Sequence, residues 1–171
     1  MKVGNNTVVW AKVKPDAIIP TKREEDAGYD IYSCFEESFR VINPNKIALI
    51  PTGIASAFSS DWYAQIEERG STGTKSIAKR CGVFDSGFRN EWMIVLTNHN
   101  EYEVVIYKNE EDKNQLINMF GINTILYPYS KAIAQAVILP VPKLNHIEMT
   151  YQELLMIKSE RGTGMLGSSL K

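Results

Sequence analysis

Glu68-Arg69-Gly70-Ser71-Thr72-Gly73-Thr74-Lys75 is composed to hold a polyanion. Its two glycines let backbone N–H groups approach a ligand closely, its hydroxyls donate hydrogen bonds, and Arg69 and Lys75 supply positive charge. Further along, Gly82-Val83-Phe84-Asp85-Ser86-Gly87-Phe88-Arg89-Asn90-Glu91 sets one carboxylate, Asp85, in a tight turn between two apolar runs. Ser86-Gly87 can reverse the chain there, giving a hairpin. A phosphate cradle followed by a hairpin with one acid suits nucleotide hydrolysis. Attack at phosphorus needs the phosphate charge neutralised first. A positioned carboxylate can then accept a proton from water in the transition state, typically for roughly 10²–10⁴-fold.

Three further segments can contribute. Asp30, in Ala27-Gly28-Tyr29-Asp30-Ile31-Tyr32-Ser33, can orient a hydrated Mg²⁺, an ion that keeps several waters and needs few protein ligands. As an isolated feature it is equally a turn-capping residue after Gly28. Gln135 follows Ala132-Ile133-Ala134 in a strand, where its amide can donate to a phosphate oxygen or simply face solvent. The segment from Arg161 to Lys171 has three glycines in Arg161-Gly162-Thr163-Gly164-Met165-Leu166-Gly167, followed by Ser168 and Ser169. It reads as a frayed terminus or as a lid, with Arg161 and the serines for phosphate and Met165-Leu166 for an apolar ligand face.

The elements that must position these residues are mostly short strands. Thr7–Val13, Lys46–Ile50, Trp62–Ile66, Trp92–Leu96, Val104–Tyr107 and Ala132–Val141 are the strong set, punctuated by turn chemistry as in an all-β sandwich or barrel. One short helix follows Thr150, whose Thr-Tyr-Gln-Glu pattern reads as a capping box. Residues 108–128 read as an insertion between two strands, with a charged turn at Lys108–Lys113 and helix or loop at Gln115–Phe120. The expectation is one β domain over residues 1–160 and a lid segment over 161–171.

Composition narrows the class. The chain has 171 residues, 44% hydrophobic and 23% charged, ordinary for a globular protein. Its net charge of −1 gives no global field for a nucleic-acid polymer, though a small phosphorylated ligand in a local basic pocket is compatible. Cys34 and Cys81 lack CxxC spacing, and His99 and His146 stand alone, so neither a disulfide framework nor a Cys/His zinc site is expected. No apolar stretch is long enough to span a membrane, and the first residues do not read as a signal peptide, so the cytoplasm is the expected compartment.

Taken in order, the Asp30 segment, the Arg69–Lys75 loop, the Gly82–Glu91 segment, Ala132–Gln135 and Arg161–Ser169 resemble the five motifs of the trimeric dUTPase family, including its phage-type members. The resemblance covers nearly the whole chain. It implies a jelly-roll-like β domain, assembled as a homotrimer with shared active sites, that cleaves dUTP to dUMP and pyrophosphate with Mg²⁺. Such an activity limits uracil incorporation into DNA and supplies dUMP for thymidylate synthesis. One subunit would give the phosphate motifs, a second the hairpin with Asp85, and a third the C-terminal tail. By the same resemblance Asp85 is the catalytic carboxylate and Asp30 acts on the metal through water. Arg69, Gly70, Ser71, Thr72, Gln135, Arg161, Gly167 and Ser168 bind phosphates. Gly82 and Val83 read uracil, Phe88 lies beneath the sugar, and Leu166 covers the base. Arg89 and Glu91 are expected to pair and fix the hairpin.

The chain departs from the family pattern at four places. Gly70 stands where a serine commonly follows the arginine, and Phe88 where tyrosine is usual. Met165-Leu166 replaces Gly-Phe, exchanging aromatic stacking on uracil for aliphatic cover, and Ala132 replaces a basic residue. Two other readings compete: a dCTP deaminase relative, which would need a catalytic glutamate near the base, and a nucleotide-gated interaction protein using the 108–128 insertion to bind a partner.

Overall fold

A computed structural model of the chain describes residues 2–164. It divides into two units, residues 1–141 and residues 142–171. The first contains twelve strands among its described residues: β1 Val8–Lys12, β2 Gly28–Ile31, β3 Phe39–Ile42, β4 Ile47–Pro51, β5 Ile54–Phe58, β6 Trp62–Glu67, β7 Ile77–Lys79, β8 Val83–Asp85, β9 Met93–Asn98, β10 Val104–Tyr107, β11 Ile125–Pro128 and β12 Ala134–Pro140. Two helices interrupt them, α1 at Gly70–Gly73 and α2 at Lys113–Phe120. The strands form four sheets, ordered β1-β5, β11-β10-β3, β2-β12-β6-β8 and β4-β9-β7. The all-β architecture is the expected one. Among the described residues no helix is long and apolar enough to cross a membrane.

Alternation explains how the sheets close on a core. In β6, Ala64 and Ile66 are fully buried while Tyr63, Gln65 and Glu67 turn outward. The inward side chains meet Ile31, Ile54, Trp92, Ile94, Ala134 and Ala136 in one apolar cluster. Phe84 stacks flat on Trp92, with centroids 4.1 Å apart, which pins β8 to that cluster. Gly53 turns the chain between β4 and β5 at φ +66°, and a Cβ there would lie 2.8 Å from both Ala17 Cβ and Cys34 Sγ. Only glycine meets both demands.

The six strong strands of the sequence all form, with ends shifted by a residue or two. The 108–128 segment corrects an expectation. Glu110–Asp112 is a 3-10 turn leading into α2, and Ile125–Pro128 is not insertion at all but β11, pairing parallel with β10. β10 is therefore buried on both faces: Val104 and Ile106 face the main core, while Val105 and Tyr107 meet Leu116, Phe120 and Leu126 beneath α2. A strand covered on both sides reads as an unbroken apolar run, as Val104-Val105-Ile106-Tyr107 does.

A second correction concerns Gly82–Glu91. β8 pairs with β6 and β9 pairs with β4 and β7, so the turn joins two sheets and is not a hairpin. The Arg89–Glu91 pair does not form either. Glu91 accepts the Gly53 N–H at 2.7 Å and lies 3.8 Å from Lys14, while Arg89 donates to the carbonyls of Ser56 and Phe88.

In the second unit α3, Tyr151–Leu155, carries the expected capping box: Thr150 Oγ1 accepts the Glu153 N–H, and Glu153 accepts the Thr150 N–H at 2.7 Å. Apolar side chains of this unit, including Leu144, Ile147 and Met156, are exposed.

Candidate functional site

The outward face of the β2-β12-β6-β8 sheet carries most of the candidate residues. Register sets them in rows. Asp30 lies opposite Gln135, which lies opposite Glu67 on its other side. Two residues along come Gly28, Val137, Gln65 and Val83, and two further Leu139, Tyr63 and Asp85. Ala134, Ala136, Ala64 and Ile66 point the other way into the core, so alternation alone commits Asp30, Gln135 and Asp85 to one face.

At one end of that face the polar groups interlock. Arg69 Nη1 lies 3.2 Å from Asp30 Oδ2, both side chains being about one-third exposed. Gln135 Nε2 donates to the Glu68 carbonyl at 2.8 Å, tying the start of the 69–73 loop to β12. Gly28 leaves the room this needs, since a Cβ there would sit 2.5 Å from Gln135 Oε1. Asp30, Arg69, Gln135 and Gly28 share a polar depression of about 790 Å³, whose remaining wall is the 21–27 loop with Lys22 and Arg23. In that loop Arg23 forks onto the Asp26 carboxylate at 2.8 and 2.9 Å and holds its pKa below the ordinary range.

The 69–73 loop is a single helical turn. The Arg69 carbonyl takes the N–H groups of Thr72 and Gly73, so those of Gly70 and Ser71 are the two that this turn does not take up. Thr72 is buried, its hydroxyl also donates to Arg69 O at 2.9 Å, and it accepts the Arg69 N–H. The sequence offers Thr72 as a ligand-binding residue; its donors are spent on shaping the turn. Ser71 Oγ lies 3.2 Å from the hydroxyl of Tyr127, which donates to the Ala132 carbonyl at 2.7 Å.

Tyr127 is the residue at this site that the sequence reading misses. It stands in β11, a strand hidden by its shortness and by Pro128, and a buried tyrosine's need for a hydrogen-bond partner was the signal available. Burial pushes its phenol above the ordinary tyrosine range, with the Ser71 hydrogen bond and the Arg69 charge acting in the opposite sense.

The other end of the face is a bare edge. β8 is the last strand of its sheet. The Ile66 N–H donates to the Gly82 carbonyl at 2.8 Å, so Gly82 and Phe84 turn their backbone groups toward β6. Val83 and Asp85 turn theirs to the open edge. The Phe88 N–H takes the Asp85 carbonyl at 3.0 Å, leaving the Val83 N–H and C=O as the adjacent donor and acceptor. Val83 and Asp85 are exposed, and Phe88 packs its ring near Phe84 with centroids 5.5 Å apart. Three strand spacings of ~4.8 Å and four residues of ~3.3 Å separate Asp85 from Asp30, roughly 20 Å within one chain. Gln135, Arg69 and Asp30 are brought together; Asp85, Val83 and Phe88 form a second group. Arg161 belongs to the second unit, where its Nε lies 3.3 Å from the Gly164 carbonyl. Leu166, Gly167 and Ser168 lie outside the described residues.

Comparison with known proteins closes the identification. The dUTPase family profile matches residues 14–119. The chain is 31% identical over 163 residues to the deoxyuridine 5'-triphosphate nucleotidohydrolase of Clostridium tetani, covering 93% of each, and 32% identical over 162 residues to that of Clostridium acetobutylicum, covering 92% of each. Among solved structures it shares the fold of the Staphylococcus bacteriophage 80alpha dUTPase bound to dUpNHpp, with TM-score 0.70 and 23% identity over 97% of this chain and 99% of that one. A phage phi11 dUTPase with a coordinated structural Mg(II) ion superposes with TM-score 0.62 at 20% identity, covering 84% of this chain and 98% of that one. The profile match and these relatives place the chain in the dUTPase family.

Proposed function

We propose that this protein hydrolyses dUTP to dUMP and pyrophosphate, at sites built from more than one copy of the chain. The observation that carries the reading is the convergence of Arg69, Asp30 and Gln135 on one polar depression in a dUTPase-family chain. Arg69 offers a planar, permanently charged fork to phosphate oxygens, and the Gly70 and Ser71 N–H groups point from the first turn of α1. A Cβ at Gly70 would meet nothing within 4 Å, so a ligand can approach that backbone closely. In the free protein Arg69 and Asp30 neutralise each other. A bound triphosphate with its cation would match both charges, the phosphate oxygens facing Arg69 and the cation facing Asp30.

Mg²⁺ fits this donor set. Among the described residues no cluster of three His, Cys, Asp or Glu side chains could cage a metal, and one rim carboxylate, Asp30, suits an ion that keeps its waters and takes other oxygens from phosphate. When bound, it supplies charge neutralisation along the phosphate chain.

The β8 edge suits uracil. The Val83 N–H and C=O match an adjacent carbonyl oxygen and N3–H on the base. A dCTP-directed relative is disfavoured by the likeness to named deoxyuridine 5'-triphosphate nucleotidohydrolases. Phe88 beside the edge would pack under the sugar. Asp85 is the proton acceptor: water adds to a phosphorus of the α–β linkage, its proton passes to Asp85, and pyrophosphate departs as the P–O bond breaks.

With Asp85 roughly 20 Å from Asp30 along one sheet, one chain's carboxylate cannot serve a phosphate held by the same chain's Arg69. A homotrimer with shared sites resolves this, and the exposed apolar side chains of the second unit suit packing on another copy. Arg161, Leu166, Gly167 and Ser168 would then close over the nucleotide from a third chain. A cytoplasmic setting accords with such a substrate.

Turnover with dUTP, dCTP, dTTP and UTP in the presence of Mg²⁺ tests the proposal. Pyrophosphate release from dUTP alone is expected. Equal release from dCTP would overturn the assignment of the base, and dUpNHpp binding without any turnover would favour the interaction protein.

A further inference from the structure

The phosphate loop is held at two points, and only one of them lies in the motifs that suggested it. Gln135 grips the Glu68 carbonyl from β12. The second grip comes from the buried Tyr127, whose ring lies in the main core. A phenol has one proton, and the Ala132 carbonyl can only accept, so that proton is committed at 2.7 Å. The Ser71 hydroxyl, 3.2 Å away, must therefore donate to Tyr127. In this arrangement Ser71 has no hydroxyl proton left for a ligand. Its contribution to an anion is its backbone N–H, and its side chain serves as a tether.

The tether completes a closed circuit. Ser71 is tied through Tyr127 to Ala132, Ala132 leads in three residues to Gln135, and Gln135 returns to Glu68 beside Arg69. Both ends of the Glu68–Ser71 segment are thus fixed to the start of β12. We propose that Tyr127 is a positioning residue for the triphosphate loop, its hydroxyl holding Ser71 so that Arg69 and the Gly70 and Ser71 N–H groups are oriented before the ligand arrives. The inference rests on the reading of residues 69–73 as the triphosphate loop. Preorganised donors bind more tightly because ordering them costs nothing further at the moment of binding.

Tyr127→Phe deletes one oxygen and keeps the ring in the core. Ser71→Ala cuts the same link from its partly exposed end and leaves Tyr127 bonded to Ala132. Calorimetric titration of the full chain with dUpNHpp and with dUMP, both with Mg²⁺, separates positioning from general damage. Each variant should bind dUpNHpp about tenfold more weakly, the loss expected for one hydrogen-bonded link, and dUMP within about twofold, because dUMP lacks the β and γ phosphates. The double variant should be no worse than the weaker single one, as for two ends of one interaction. Parental dUpNHpp affinity in Tyr127→Phe, equal losses for both ligands, or additive losses in the double variant would overturn the inference. If the unaltered protein failed to bind dUpNHpp, the reading of the loop itself would fall with it.

Discussion

The two ends of one sheet face are built on opposite plans. At the β2–β12 end, Asp30, Arg69, Gln135 and Ser71 are each engaged: an ion pair at 3.2 Å, an amide on the Glu68 carbonyl, a hydroxyl on a buried tyrosine. At the β8 end, Val83 and Asp85 are exposed and the Val83 backbone faces an open sheet edge. The first end is finished within one chain. The second presents groups that await something else. On the proposed function the contrast has a reason: polyphosphate recognition demands many oriented donors and is best prepared in advance, whereas reading a base and accepting a proton need few groups at the boundary with another molecule.

Substitutions at the two ends should therefore fail differently. The largest effect belongs to Asp85→Asn at the exposed end: kcat falls by at least about 10² while dUpNHpp binding and thermal stability persist, because an exposed side chain is exchanged for one of equal shape. A rate near the parental value would remove Asp85 from the chemistry. Arg69→Ala at the interlocked end should weaken dUpNHpp by about 10–100-fold, the range for hydrogen bonds to a charged group. Its loss also leaves Asp30 without its ion-pair partner, and a titration showing unchanged affinity would contradict the role given to this end. Gly28→Ala should have the smallest effect. The new Cβ would lie 2.5 Å from Gln135 Oε1 and 3.1 Å from Gln135 Cβ, so the amide must swing off Glu68 and the facing backbone give by a few tenths of an ångström. Affinity for dUpNHpp drops several-fold, a loss comparable to one hydrogen bond, with a small fall in melting temperature. A large melting shift with unchanged affinity would show that the contact serves only the fold.

Much of this was legible in the chain. Strong alternation marks β6 and β9, and the capping pattern at Thr150 marks α3. The charged and glycine-rich motifs mark the two ends of this sheet face. β7, β8 and β11, of three or four residues, were not legible, because tertiary pairing and not their own pattern makes them strands. Pro128 in particular argues against a strand and is tolerated at the sheet edge, where β11 ends. Hydroxyl partners in a polar loop are not legible in sequence either: Thr72 Oγ1 bonds the Arg69 backbone and Ser71 Oγ lies 3.2 Å from the Tyr127 hydroxyl. The Arg89–Glu91 pairing failed likewise, since the Gly53 N–H offers Glu91 a better partner than a neighbouring guanidinium does.

The central claim is that phosphate binding and the catalytic carboxylate of one working site come from different chains. Mixing Arg69→Ala and Asp85→Asn proteins, each nearly inactive alone, tests it most directly once subunits have been exchanged. Random assembly then pairs an intact Arg69 from one chain with an intact Asp85 from another in about one quarter of shared sites. dUTP turnover should accordingly rise to about one quarter of the parental rate. Turnover remaining at the sum of the two inactive proteins after verified exchange would mean that each site is built from a single chain, and would contradict the account.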